Sequence, residues 1–132
     1  MRYMLDTNIC IYAIKNDPKS VLNNLEKHNP SDICISSITY AELMYGVEKS
    51  ANKDKNRLAL MLLLSNIEIM EFDQKASESY GTIRAFLESK GTVIGPYDML
   101  IAGHALSLNC TFVTNNTKEF KRIKSLSIEN WA

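Results

Sequence analysis

The sequence has little of what several large protein classes require. It has 132 residues, three cysteines, five glycines and no net formal charge. The cysteines are odd in number and share no paired spacing, which argues against a disulfide framework or a zinc site, and we expect Cys10, Cys34 and Cys110 to be small buried hydrophobic residues. No glycine-rich phosphate loop is present, which argues against nucleotide-driven chemistry.

Long hydrophobic runs are also missing. The longest, from Leu58 to Leu64, is far shorter than the roughly 20 residues of a membrane-spanning helix, and no secretory signal is readable. We therefore expect a cytoplasmic protein that does not associate with membranes. The run itself is most simply part of a buried core, and a dimer surface is the alternative.

What is present is the composition of an ordinary folded protein. Apolar residues make up 45% and charged residues 23% of the chain. This length and composition predict one folded domain over residues 1–132, with a single core.

Short apolar or β-branched runs alternate with longer helical patterns. The predicted strands are residues 3–5, 33–35, 67–71, 111–114 and 126–128. The predicted helices are residues 8–15, 18–27, 38–50, 54–64, 75–89 and 97–108. Because parallel strands need crossover connections, this order predicts an α/β layer fold with a mostly parallel sheet.

Ligands in such sheets bind beyond the carboxyl ends of the strands, so the acidic residues near those ends are candidates for a site. Asp6 follows the first strand and precedes a helix. Its position fits a helix N-cap, and a carboxylate with two oxygens can cap a helix and bind a metal at once. Asp98 opens a later helix and could simply favour its start, but it shares a face with small apolar residues and is expected to point inward.

The other two acids are more ambiguous. Glu42 has the fairly apolar neighbours Ile38, Tyr45 and Gly46 at helical spacing, where a buried carboxylate needs a cation or a donor. Its spacing from Thr39 also fits a capping box, in which its role would be structural. Glu119 lies in a predicted loop rich in lysine, where a solvated charge is the default interpretation.

Histidine and basic residues complete the set of candidates. His104 lies six residues after Asp98, outside its helical face, and we interpret it as structural. Two clusters could contact a nucleic acid backbone or be solvated faces. The first is Lys118, Lys121, Arg122 and Lys124, and the second is Lys49, Lys53, Lys55 and Arg57.

Four blocks of the sequence together resemble the PIN-domain nuclease toxins of the VapC type, in the order expected along the chain. They are Met4-Leu5-Asp6-Thr7-Asn8; Ile35-Ser36-Ser37-Ile38-Thr39 with Glu42-Leu43 and Tyr45-Gly46; Ile94-Gly95 with Asp98 and Ile101-Ala102-Gly103-His104-Ala105; and Val113-Thr114-Asn115-Asn116 with Glu119-Phe120. The resemblance covers essentially the whole chain. It implies a PIN-like three-layer fold, with a central parallel sheet between helices.

The resemblance also implies a metal-dependent endoribonuclease that cuts RNA to leave 5′-phosphate and 3′-hydroxyl ends. Its catalytic acids would be Asp6, Glu42, Asp98 and Glu119. Mg²⁺ is the expected cofactor, with Mn²⁺ as an expected substitute. Asp6 and Asp98 would bind the metal directly, Glu42 would bind it or orient water, and Glu119 would act through water or a second ion. Two such ions would lie ~3.5–4 Å apart.

Other residues have supporting roles in this interpretation. Thr7, Ser37, Thr114 and Asn116 would orient the carboxylates, and Lys118, Lys121 and Arg122 would hold the RNA backbone. Many PIN domains have an acid at the position of Asn116; sequences of the enteric VapC-like subgroup share the Asn and have an acid three positions later, so we expect Glu119 to substitute.

The implied partners are an RNA substrate, with initiator tRNA cut at the anticodon stem-loop as the leading expectation, and a VapB-type antitoxin. The antitoxin would place a basic side chain in the acidic groove. A homodimer is also expected, and operator DNA would be contacted only through the antitoxin complex.

Two alternatives remain at this point. A phosphoacceptor receiver domain could use Asp73, Thr114 and Lys118, although it would need paired acids after the first strand. A non-catalytic binding module could keep the fold and only associate with a partner.

Overall fold

The computed structural model describes residues 2–132, in which five strands alternate with seven helices. The strands are β1 (Tyr3–Leu5), β2 (Ile33–Ser36), β3 (Glu68–Met70), β4 (Thr111–Val113) and β5 (Ile128–Glu129). The helices are α1 (Thr7–Lys15), α2 (Lys19–Lys27), α3 (Ser37–Glu48), α4 (Lys53–Leu64), α5 (Gln74–Ser89), α6 (Pro96–Ser107) and α7 (Thr117–Phe120). A 3-10 turn at Pro30–Asp32 leads into β2.

The strands form one sheet in the order β3-β2-β1-β4-β5, and all four pairings are parallel. Each crossover between neighbouring strands contains at least one helix, as parallel pairing requires. The predicted α/β fold with a parallel sheet is thus confirmed. The carboxyl ends of β1, β2 and β4 consequently lie together at the centre of one edge of the sheet.

Helices cover both faces of the sheet and bury two separate halves of the core. Successive strand residues point to opposite faces: Met4 packs with α5, α6 and α7, while Leu5 packs with α1 to α4. The same division places Phe112 on the first side and Val113 on the second. This is the three-layer arrangement expected from the resemblance.

Two predictions near the C-terminus need correction. Helix α7 was missed, and Glu119 therefore lies in a helix rather than in the predicted loop. Four residues are too few to show a helical period, and α7 is held in place by Phe120, which is buried edge-on against Phe112 at 4.8 Å between ring centroids. The last strand begins at Ile128 rather than at residue 126, because Leu126 packs into the core before the strand starts.

The apolar run in α4 is divided between core and surface. Leu60 is buried and Leu63 and Leu64 pack against the core, so the expectation of a core face holds for these three. Leu58, Met61 and Leu62 are exposed. The run therefore remains a candidate surface for association.

Other expectations agree with the structure. Cys10, Cys34 and Cys110 are buried free thiols. Across residues 2–132, the helices are all too short or too polar to cross a membrane.

Helices α5 and α6 approach closely at Gly103. A Cβ atom built there would lie 2.8 Å from the backbone nitrogen of Tyr80, whereas one at Gly81 on α5 would meet nothing within 4 Å. We predict that Gly103→Ala lowers the free energy of unfolding by about 1–3 kcal/mol, because the helix backbones must separate. The matched Gly81→Ala change should raise it by about 0.5–1 kcal/mol, since alanine favours a helix. Urea denaturation measures both, and equal effects of the two changes would refute the close approach.

Candidate active site

The candidate site begins where β1 and β4 end side by side. Leu5 pairs with Val113 in the sheet, and the amide of Asp6 donates to the carbonyl of Val113 at 2.9 Å. Asp6 and Thr114, the next residue of each chain segment, therefore emerge as neighbours at the sheet edge. The fold thus brings together Asp6 and Thr114, which are 108 positions apart in the sequence.

Asp6 is buried, and both of its oxygens accept hydrogen bonds. Oδ1 accepts from the amide of Thr7 at 2.7 Å, and Oδ2 accepts from the hydroxyl of Thr114 at 2.8 Å. Asp6 is the N-cap of α1, so the capping interpretation is correct. The burial of Asp6 raises its pKa, the bonds from Thr114 and Thr7 oppose that rise, and Glu42 adds to it.

Glu42 reaches the same place from α3. Its Oε1 accepts a 2.7 Å hydrogen bond from the hydroxyl of Thr7, so its carboxylate is directed to the start of α1 and not back to Thr39. The N-cap of α3 is Ser36. The capping-box alternative is thus wrong. Of the apolar neighbours at helical spacing, Ile38 packs against the core and Tyr45 is 67% exposed.

Glu119 joins the group through Asn116. The side-chain amide of Asn116 donates to Oε2 of Glu119 at 2.9 Å, and its backbone amide donates to the hydroxyl of Thr114 at 3.0 Å. Thr114 thus accepts from Asn116 and donates to Asp6. A continuous series of hydrogen bonds therefore links three carboxylates, in the order Glu42, Thr7, Asp6, Thr114, Asn116, Glu119.

Asp98 is the exception, because no residue in the described part of the chain donates a hydrogen bond to its carboxylate. It is the third residue of α6 and is half-buried. Burial, followed by the charges of Asp6, Glu42 and Glu119, raises its pKa to about 6. Asp98 therefore lies within electrostatic range of each of the other three predicted acids.

Gly95 leaves room for the Asp98 carboxylate, a role that the sequence analysis did not assign to it although it lies in one of the blocks of the resemblance. A Cβ atom at Gly95 would lie 3.2 Å from Oδ2 of Asp98. Gly95 is the N-cap of α6, three residues before the acid. A glycine at this spacing before an acid in the first helical turn was the signal available in the sequence.

Two other predicted residues have contacts of a structural kind. His104 is buried, its Nδ1 lies 2.8 Å from the hydroxyl of Ser36, and its burial lowers its pKa. These contacts agree with the structural interpretation of His104. Ser37 accepts a 3.0 Å bond from the amide of Phe72, so the contact seen for it holds the segment after β3 rather than a carboxylate.

The basic residues near Glu119 in the sequence differ in whether they contact other parts of the protein. Lys118 and Lys121 are exposed and form no ion pair with any residue from 2 to 132. Arg122 instead donates through Nη1 to the carbonyls of Thr92 and Val93, at 3.4 and 3.3 Å. Arg122 thus fixes the segment before α6, which complicates its assignment as an RNA contact.

The receiver alternative does not fit this arrangement. Asp73 is the N-cap of α5, accepting from the amide of Ala76, and it follows the edge strand β3. Thr114, which would have to face it, is bonded to Asp6 across the centre of the sheet.

The donor set suits a hard cation, but the site is open. No three His, Cys, Asp or Glu side chains within residues 2–132 are placed to hold a metal ion together. Mg²⁺ does not require three such ligands, because it keeps several waters and is usually bound through one or two carboxylates. An Asp98 carboxylate without a donor, repelled by three other acids, is the group here that a cation would relieve most.

Comparisons with known proteins agree on one family. The family model for the PIN domain matches residues 3–126. The chain is 54% identical to "Ribonuclease VapC2" of Rickettsia felis, over 99% of this chain and 98% of that protein. It is 46% identical to "tRNA(fMet)-specific endonuclease VapC" of Salmonella typhimurium, again over 99% and 98%.

A solved structure extends the likeness to three dimensions. The chain superposes on one chain of VapBC2 from Rickettsia felis, a complex bound to a DNA fragment from its promoter, with a TM-score of 0.93 and 52% identity. The alignment covers 100% of both chains.

The raised pKa of Asp98 predicts how stability depends on pH when metal is removed by EDTA. The folded protein holds this proton up to a pH of about 6, whereas the unfolded chain loses it near its ordinary value of 3.8. The stabilisation is complete below that ordinary value and is lost as the pH rises through about 6. Asp98→Asn should therefore flatten the pH dependence and stabilise the metal-free protein at neutral pH by on the order of 1–2 kcal/mol, as expected for a half-buried group.

Thermal and urea unfolding between pH 4 and 8 measure this effect. Asp17→Asn is the matched control, because Asp17 is exposed at the far end of α1. A pH profile of Asp98→Asn identical to that of the unaltered protein would contradict the repulsion described here.

Proposed function

The chain belongs to the PIN-domain family, in its VapC branch, and on that premise we propose that it is a Mg²⁺-dependent endoribonuclease acting as the toxin of a toxin–antitoxin pair. The observation that carries this proposal is the gathering of four acids at one sheet edge, three of them linked by hydrogen bonds. Relatives that match over nearly their whole length are named ribonucleases.

The contacts of the four acids suggest how they divide the work. Asp6 and Asp98 are the proposed metal-binding carboxylates; Asp6 is held rigidly by its two donors, and Asp98 is held by none. Glu42 has one oxygen fixed by Thr7, and its other oxygen accepts no bond from residues 2–132, so it can orient a water molecule and take up its proton. Glu119, restrained by Asn116, completes the negative edge.

A bound Mg²⁺ would supply a polarised water as nucleophile and would neutralise charge on the scissile phosphate. The protein's own contribution is orientation. Thr7 and Thr114 fix the carboxylate rotamers of Glu42 and Asp6, and such supporting bonds typically change metal affinity or activity by about 10–100-fold. Cleavage by in-line attack of water would leave 5′-phosphate and 3′-hydroxyl ends.

Initiator tRNA is the proposed substrate, with the cut in the anticodon stem-loop. The support is the name of the Salmonella typhimurium relative, a tRNA(fMet)-specific endonuclease. Selective reading of RNA usually uses exposed loops, which an open edge of the sheet can approach. Loss of initiator tRNA would inhibit translation, and both substrate and effect place the proposed activity in the cytoplasm.

A VapB-type antitoxin is the proposed partner, because solved relatives are VapBC complexes. An arginine of the antitoxin would suit the acidic edge, since guanidinium binds carboxylates through paired hydrogen bonds. Some of those complexes hold DNA, so operator DNA is proposed to be contacted through the complex. We also propose a homodimer.

The decisive experiment incubates purified, antitoxin-free protein with total RNA and with initiator tRNA, in Mg²⁺ or in EDTA, and maps the new ends. We predict cleavage only with Mg²⁺ or Mn²⁺, and a loss of at least about 100-fold in rate for Asp6→Asn and Asp98→Asn. Asp17→Asn should cleave normally. Cleavage in EDTA, or full activity of both site variants, would refute the mechanism, and RNA binding without any cleavage would favour a non-catalytic binding module.

The contribution of Glu119 can be tested separately. We predict that Glu119→Gln slows cleavage by about 10–100-fold, because the carboxylate charge is lost while the bond from Asn116 can persist. Adding Asn116→Asp to Glu119→Gln should recover part of the rate, since many PIN domains have their acid at that position. Rate constants at saturating Mg²⁺ measure both variants, and an unchanged rate for Glu119→Gln would remove this residue from the site.

A further inference from the structure

Two tyrosines next to the acids are unusually exposed. Tyr45 follows Glu42 by three residues in α3 and is 67% exposed. Tyr97 directly precedes Asp98 in the first turn of α6 and is 59% exposed. Exposed rings of this size contribute nothing to the core, so their use must be sought at the surface.

The first ring lies beside a cation that no acid neutralises. Residues three apart share a helical face, which places Tyr45 next to Glu42 along α3. The Nζ atom of Lys49 lies over the Tyr45 ring, 5.2 Å from its centroid. Lys49 forms no ion pair with another described residue.

Two of the other three cations in this basic cluster are neutralised by acids. Lys53 and Arg57 both pair with Glu48, and Arg57 also approaches Asp54. Lys55 is exposed and forms no ion pair with a residue from 2 to 132. Of the four cations, Lys49 alone combines an unpaired charge with an aromatic ring beside it.

The second ring belongs to another part of the site, at the start of α6. Tyr97 directly precedes Asp98, which interacts electrostatically with Glu119 of α7. Lys118 adjoins Glu119 in the chain and Lys121 follows it by two residues; both lysines are exposed and form no ion pair with a residue from 2 to 132. Arg122, one residue further on, donates to the carbonyls of Thr92 and Val93 in the segment before α6.

We propose that Tyr45 and Tyr97 are stacking positions for two unpaired nucleobases of the substrate RNA, one on each side of the scissile phosphate. This inference rests on the proposed ribonuclease function. Aromatic side chains bind single-stranded RNA by stacking on bases, and neighbouring cations hold the backbone. Lys49 beside Tyr45, and Lys118 and Lys121 close to Glu119 in the chain, supply those cations.

The acidic site needs such rings and cations around it in order to bind RNA. Four carboxylates repel a polyanion until a cation is bound, so affinity for RNA must come from groups around them. The chain has no net charge to attract RNA as a whole, which leaves local pairs of a ring and a cation as the available source.

The test measures binding of a labelled anticodon stem-loop oligoribonucleotide to Asp98→Asn protein in Mg²⁺, so that the RNA stays intact. Tyr45→Ala and Tyr97→Ala, each added to this background, should weaken binding by about 5- to 100-fold, as expected for the loss of one stacked base. Tyr45→Phe and Tyr97→Phe should bind normally. Thermal unfolding verifies that each variant is folded.

Phe86 is the matched control. It is 45% exposed on α5, with the Nζ of Lys90 5.8 Å from its ring centroid, so it repeats the ring and lysine pair of α3 away from the acids. Phe86→Ala should leave RNA affinity unchanged. An equal loss for Phe86→Ala would overturn the proposal, because the effect would then be nonspecific.

Abasic nucleotides identify the stacked bases. If a base stacks on Tyr45, its removal should weaken RNA binding by the protein that retains Tyr45. The same removal should have little further effect on the affinity of the Tyr45→Ala protein, which has already lost that contact. The corresponding result is expected for Tyr97. Independent effects of every abasic position, or normal RNA affinity with lost antitoxin affinity, would overturn the proposal. If the unaltered protein cleaves no RNA, the proposed function fails; if it cleaves and the tyrosine variants bind normally, only this inference fails.

Discussion

Repulsion among four carboxylates is the constraint on which the rest of the site depends. The fold places Asp6 and Thr114 at the ends of adjacent strands, and it brings Glu42 and Glu119 to them from α3 and α7. Bringing like charges together raises the energy of the charged forms. Hydroxyl and amide donors offset this cost for three of the acids, and the fourth, Asp98, is left without one.

This asymmetry gives the site its chemical character. The linked acids are oriented before any substrate arrives, because each accepts at least one hydrogen bond from a neighbour fixed by the fold. Asp98 instead retains a proton to a pH of about 6 and gains most from a cation. A divalent metal or the guanidinium of an antitoxin would relieve the same repulsion. The metal needed for catalysis and the inhibiting guanidinium would therefore compete for the same carboxylates.

The sequence predicted the layers of the fold well, because strands and long helices have local periodic patterns. It also located Asp6 and Asp98, since each stands where a strand or a turn gives way to a helix. The bonds that define the site were not predictable in this way. Thr7 reaches Glu42 across 35 positions and Thr114 reaches Asp6 across 108, and no local pattern records such contacts.

The errors have the same origin. A four-residue α7 is too short to show periodicity, and it is anchored by the distant Phe112 ring, so Glu119 was assigned to a loop. The capping-box alternative for Glu42 failed because its carboxylate accepts from the distant Thr7 hydroxyl, which no local spacing records. Arg122 was grouped with free cations, although its guanidinium holds a loop that follows α5.

Calorimetric titration of the metal-free protein with Mg²⁺ at pH 6, in two buffers of different ionisation enthalpy, tests the central claim most directly. Metal binding displaces protons from its ligands, so the account predicts release of about half a proton on binding, disappearing at pH 8. In Asp98→Asn protein, binding should be weaker and without proton release. Absence of Mg²⁺ binding, or the same proton release from the variant, would contradict the claim that these carboxylates converge on a cation.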